Sequence, residues 1–215
     1  MMHNQPMDAA HPIFSPTSRV GSIAAFGNAF AASAALYVAL FLIGIPAMGD
    51  PQQLAELAIH NPTPLLLQDA LKFLSAATAC VLIFALDARL RDRAPTWMRA
   101  AKLFGFLAVG LLLANATLSL FLVLQTTRPL PIDLGDHAAL NGVIGILGMA
   151  AIMANGVWYL VVNWTARTSR RLPRGLCYLG LLLGVTSFVP FLALFVLILG
   201  IVWALGLGVV LGRAK

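Results

Sequence analysis

The chain has 215 residues, of which 60% are hydrophobic and 10% charged, and its mean hydropathy is +0.89. A soluble domain carries about 25% charged residues, so this chain cannot cover a globular surface and must take lipid as its main solvent. Its net charge of +6 does not point to nucleic acid, because the charges sit in short loops between apolar runs and form no basic face.

Residues 1–18, with Pro6, Pro12 and Pro16, read as a flexible cytoplasmic tail. His3 and His11 lie there without matching ligands nearby, so no metal is expected. Residues 19–215 read as a single all-α domain, a polytopic membrane protein. A spanning helix needs roughly 20 apolar residues, and six segments can be drawn: 22–46, 65–87, 102–125, 138–163, 174–190 and 192–212. The first run is too long for the apolar part of a signal peptide. After it, the stretch 51–60, "PQQLAELAIH", suits a short helix on the outer surface, with Pro51 at a first helical position.

The second segment opens with "LLLQDALKFLSA" (65–76), which places Asp69 and Lys72 inside an apolar run. Residues three and four apart share a helix face, so Gln68, Asp69, Lys72, Ser75, Ala76 and Ala79 form one stripe directed at the bundle interior. At 1.5 Å per residue Lys72 lies roughly 10 Å, and Asp69 roughly 6 Å, below the outer boundary. Ionisable groups at such depth are functional candidates by default. A structural reading stands beside this one: helix side chains lean toward the N-terminus, so Lys72 can pair with Asp69 and snorkel outward.

The third segment carries Asn115 near its middle. The fourth carries a stripe of His137, Asn141, Gly145, Gly148, Asn155 and Tyr159, whose glycines are expected to let another helix approach. Asn28 and Asn155 sit near the cytoplasmic boundary and are expected to bond each other or backbone carbonyls. The last two segments form one apolar block broken by Pro190, which fits two short helices joined by a tight turn. Gly180-x-x-x-Gly184 and Gly208-x-x-x-Gly212 within them are expected to serve intrachain packing.

Six spans sort the loop charges. Arg19, Arg89, Arg91, Arg93, Arg99, Lys102, Arg167, Arg170, Arg171, Arg174, Arg213 and Lys215 fall on one side, and the other receives only Arg128. This positive-inside bias puts both termini in the cytoplasm. Trp97, Trp158, Tyr159, Trp164 and Tyr178 are expected to mark the cytoplasmic boundary as an aromatic belt.

Asp69, Lys72, Gln68, Asn115, His137 and Asn141, with Thr186 and Ser187 at similar depth, are the candidates for an outward-facing polar pocket that binds or transports a small ligand or ion. An accessory or structural subunit of a larger membrane complex is the alternative. An intramembrane enzyme is a second one, against which stands the lack of HExxH, GxSxG and Walker motifs. Cys80 and Cys177 suggest neither a disulfide framework nor a CxxC metal site. No cofactor can be named. The lipid bilayer is the expected partner, with a homodimer or larger membrane complex left open.

Two stretches, "ALDARLRDRAPTWMRAAKLFGF" (85–106) and "VWYLVVNWTARTSRRLPRGLCYLGLLLGV" (157–185), together with the six-span layout, resemble the bacterial membrane proteins of the domain of unknown function 4386 family. The resemblance implies a six-helix protein, of the inner membrane if the source is bacterial. It implies no activity and no functional residue.

Overall fold

A computed structural model describes residues 16–126 and 134–213, leaving aside the side chains of 16–17, 48–49, 51, 126 and 134–138. Of the tail expected over 1–18, residues 1–15 lie outside the described residues, and residues 16–18 already open the first helix. Among the described residues there is no strand. Helix α1 (Pro16–Tyr37) continues through a π-helical turn (Val38–Ile43) and stops at Gly44, whose φ of 86° is open to glycine at little cost. Then follow α2 (Ile45–Gly49), α3 (Pro51–His60), α4 (Thr63–Leu90), α5 (Pro95–Thr126), α6 (Leu134–Thr168), α7 (Arg174–Thr186), a 3-10 turn (Pro190–Leu192) and α8 (Ala193–Arg213).

Among the described residues, five helices are long and apolar enough to cross a membrane: Ser18–Ile43, Thr63–Leu90, Pro95–Gln125, Ala139–Thr168 and Pro190–Arg213. The segment expected at 174–190 falls short. Helix α7 has 13 residues, or roughly 20 Å of helix, against roughly 30 Å of hydrocarbon. Its end has a local cause. Val189 precedes proline and is held extended, at φ −112° and ψ 99°, as that position requires. The Ser187 hydroxyl also turns back to the Leu183 carbonyl at 2.7 Å.

The short helix expected at 51–60 forms as α3. The Asp50 carboxylate caps it, accepting the Gln52 and Gln53 amides at 2.9 and 3.4 Å, with Pro51 in the first turn. At the opposite end of the molecule α6 closes through Arg170 at φ 54°, and the Arg171 amide returns to the Ala166 carbonyl at 3.1 Å.

The long helices and α7 close into a ring in which α1, α4, α5, α6, α7 and α8 each pack on the next and α8 returns to α1. Neighbours are antiparallel. Gly21 meets Ala85 and Gly27 meets Thr78 between α1 and α4; Gly105 meets Ile83 and Ser119 meets Asp69 between α5 and α4. Arg19, the α4–α5 turn, the α6–α7 loop and Arg213 therefore gather at one end of the bundle. Helices α2 and α3 and the α7–α8 turn occupy the other.

Large apolar side chains such as Ile23, Phe30, Leu103, Ile146 and Val202 cover the outside of the ring, the arrangement expected where lipid is the solvent. The interior toward the basic end is aromatic. Trp203 is fully buried, and its ring meets Trp158 and Tyr159 edge-on at 5.9 and 4.9 Å. Its indole N–H donates to Asn163 Oδ1 at 3.1 Å, and Asn163 Nδ2 donates to the Tyr159 carbonyl at 2.8 Å. Trp158 and Tyr159 are thus core residues and not part of a boundary belt, because α8 brings Trp203 against them. Trp97, Trp164 and Tyr178 are exposed.

Both GxxxG motifs pack within the chain. An added Cβ at Gly180 would run into the Asn163 amide, and one at Gly184 would lie 2.9 Å from the Gly156 carbonyl. Gly208 lies under the Phe26 ring, and the Ser22 hydroxyl donates to the Gly208 carbonyl at 2.7 Å. Asn28 does not bond Asn155; it accepts from the Thr78 hydroxyl at 3.3 Å on its neighbouring helix.

Candidate functional site

Helix α4 carries the pair that the apolar run cannot satisfy alone. One turn separates Asp69 from Lys72, and the lean of helical side chains toward the N-terminus brings Lys72 Nζ to Asp69 Oδ1 at 2.8 Å. The second carboxylate oxygen accepts the Ser119 hydroxyl of α5, also at 2.8 Å. Asp69 is 1% exposed, whereas the Lys72 side chain keeps 22% of its surface. Both oxygens of Asp69 are therefore engaged within the protein. Lys72 donates one of its three N–H groups to this partner, and the rest of its head is available elsewhere.

Lys72 borders a cavity of about 450 Å³ at the end of the bundle away from the arginines. The cavity exists because α7 is short. At its last turn α7 lies so close to α6 that a Cβ on Gly156 would sit 2.7 Å from Ser187 Cβ. Beyond Thr186 no helix continues along α6, and the turn bearing Val189 and Pro190 borders the space instead. Helix α3 covers it, turning Leu54 and Ala58 inward while Gln52, Glu56 and His60 face out.

The polar lining is Gln68, Lys72, Asn115, Ser119, Asn141 and Ser187; the rest is apolar, for example Ile43, Leu122 and Met149. Of the residues singled out from sequence, Gln68, Lys72, Asn115 and Asn141 line this one cavity, and Asp69 holds Lys72 from behind. The side chain of His137 lies outside the described residues. Asn115 donates to the Ile144 carbonyl at 2.7 Å, which fixes its amide and ties α5 to α6. Gln68 Oε1 is buried without a hydrogen-bond partner among the described residues.

Ser119 is the residue that sequence reasoning missed. Asn141, a candidate for the same pocket, makes no hydrogen bond to the charged pair, and the third partner is Ser119. A signal was present: Ser119 follows Asn115 by four residues and so shares its helix face. The glycines of α6 also differ from expectation. Gly148 does meet a neighbour, Asn115 Nδ2, at 3.2 Å from an added Cβ, but at Gly145 such a Cβ would meet nothing within 4 Å. Gly145 lines the cavity instead of a helix contact.

Among the described residues no group of three or more His, Cys, Asp or Glu side chains comes together to hold a metal ion. No family model, curated protein or solved structure matches the chain.

Proposed function

We propose that the protein is a six-span integral membrane protein with both termini in the cytoplasm that binds a small amphipathic ligand in the cavity at its outer end. The observation that carries this reading is Lys72: a cation neutralised by a buried carboxylate, yet bordering an apolar cavity far larger than one or two waters need. A second full charge beside the neutral pair would be poorly compensated in so apolar a space. A ligand with an uncharged, hydrogen-bond-accepting head suits the Lys72 N–H groups, and the apolar walls suit its body. Below the cavity the bundle is filled by Trp158, Tyr159 and Trp203, so binding fits better than a continuous path through this conformation.

The sixth span rests on α7 together with the turn 187–189 that joins it to the last helix. The sorting of loop arginines favours the same topology. Single cysteines on a background lacking Cys80 and Cys177 test it. A thiol at Gln53 should react with an impermeant reagent from outside the cell, and one at Arg93 only after lysis; external labelling at Arg93 would reject the orientation. Binding is tested by thermal unfolding with dodecan-1-ol and dodecanoate. The alcohol should stabilise the wild type more than the carboxylate does, and this preference should vanish in Gly145→Trp, which fills the cavity. Equal responses in both proteins would reject the cavity as the site.

A further inference from the structure

Two hydroxyls that border the cavity have already used their hydrogens. The Ser119 hydroxyl lies 2.8 Å from Asp69 Oδ2, and a carboxylate brings no hydrogen of its own, so the bond runs from serine to aspartate. The Ser187 hydroxyl donates to the Leu183 carbonyl at 2.7 Å. A hydroxyl carries one donor and two acceptor lone pairs. Toward the cavity both serines are therefore left with lone pairs alone. Lys72 is the reverse. Its ammonium has three donors and no acceptor, and one donor is spent on Asp69 Oδ1 at 2.8 Å.

Asp69 sets the direction of both bonds on its side of the cavity. It is 1% exposed, and its two oxygens hold Lys72 and Ser119, one each. A donor and an acceptor thus stand side by side on one wall. An ether or ester oxygen can take a Lys72 N–H but brings nothing to Ser119, whose lone pairs it would shut away from water without a partner, at a cost. A hydroxyl head answers both neighbours, since it accepts and donates at once.

We propose, resting on the cavity as a ligand site, that its ligand is a neutral amphiphile headed by a free hydroxyl, of the class of long-chain alcohols and monoacylglycerols. The head oxygen accepts from Lys72 and its hydrogen goes to Ser119. The probes are dodecan-1-ol and its isomer 1-methoxyundecane, which has the same atoms and one acceptor oxygen but no O–H. Titrating each during thermal unfolding of the full chain in detergent gives apparent affinities. Gly145→Trp, with its cavity filled, is the blank for ligand dissolved in the micelle. The wild type should bind the alcohol about tenfold more tightly than the ether, a factor that one buried hydrogen bond supplies. Asp69→Asn should erase this preference: Lys72 keeps the amide oxygen, the amide N–H donates to Ser119, and the serine hydrogen turns to the cavity, where an ether can accept it. Ser187→Ala removes the other spent hydroxyl and should keep the preference. Should Asp69→Asn fail to fold, the alcohol–ether comparison in the wild type and in Ser187→Ala still decides the head. An ether that binds as tightly as the alcohol, with both ahead of dodecanoate, would overturn the hydroxyl head and leave the cavity as the site. An alcohol no better than dodecanoate would overturn the cavity as the site, and this inference with it. A preference that survives in Asp69→Asn, or is lost in Ser187→Ala, would overturn Ser119 as the acceptor.

Discussion

Gly145 and Gly156 stand on the same helix and do opposite things. At Gly156 an added Cβ would lie 3.0 Å from the Gly184 carbonyl, so glycine there lets α7 approach. At Gly145 it would meet nothing within 4 Å, and glycine there leaves room in the cavity. The residue is the same, and the neighbour decides. Helix α7 runs beside α6 from Asn163 to Gly156 and then ends, because Val189 and Pro190 cannot continue it. The half of α6 that α7 accompanies packs tightly; the half beyond the end of α7 borders the cavity. In a membrane protein, where lipid supplies no hydrophobic pressure between helices, a small residue permits close approach without compelling it.

This contrast can be broken most forcefully at its polar point. Lys72→Met leaves Asp69 buried with an unpaired charge, and the expected cost is about 3–5 kcal/mol, with Asp69→Asn also destabilising. The double variant removes both charges and should be less damaged than the sum of the singles. Unfolding in mixed detergent with increasing dodecyl sulfate measures all three. A double variant as damaged as that sum would show that the two residues are not coupled.

The packed half comes next. Gly180→Val places two methyl groups where the Asn163 amide now sits, and that amide holds the Trp203 indole. A loss of about 3 kcal/mol is expected, at the upper end of overpacking costs. The near-ultraviolet dichroism of the Trp158–Trp203 cluster should weaken with it. Unchanged stability and spectrum would mean that α7 does not lie this close to α6.

Ser119→Ala is expected to cost about 1.5 kcal/mol, since it takes one hydrogen bond from a buried carboxylate and leaves an oxygen unsatisfied. The loss should be absent in the Asp69→Asn/Lys72→Met background if Ser119 acts through the pair. An equal loss in both backgrounds would assign Ser119 to packing alone.

These sites were unequally legible in the sequence. The depth of Lys72, its pairing with Asp69 and their interior face followed from helical period and side-chain lean, both local properties of α4. The nearness of Gln68 and Asn141 to one end of the bundle was also readable, because antiparallel spans carry a depth scale, whereas Asn115 read as lying nearer the middle of its segment. Ser119 was harder, since a lone serine in an apolar helix gains meaning only when the adjoining helix is known. Trp158 and Tyr159 were misplaced for the same reason: their partner Trp203 lies on α8, and nothing local to α6 announces it. The length of α7 was overestimated because apolarity continues to Pro190, whereas helix hydrogen bonding ends earlier, at Ser187. Composition reports what lipid tolerates, and only backbone geometry reports where the helix stops.

The smallest expected effect is the sharpest test of the comparison. Gly145→Val should change stability by less than about 0.5 kcal/mol, the range of substitutions that touch no special feature, because its methyl groups enter open space. The same change at Gly156 should be costly, since Ser187 and the Gly184 carbonyl already occupy that space. Gly148→Leu should fall between, because it presses on the Asn115 amide that bonds the Ile144 carbonyl. Three substitutions along one face of one helix therefore rank as Gly156, Gly148 and Gly145 in decreasing cost. Helix propensity predicts no such order, since all three remove a helical glycine. A gradient in unfolding midpoints along α6 would show the boundary where α7 ends and the cavity begins. If Gly145→Val proves as costly as Gly156→Val, the half of α6 beyond the end of α7 is packed after all, and no cavity stands beside Lys72.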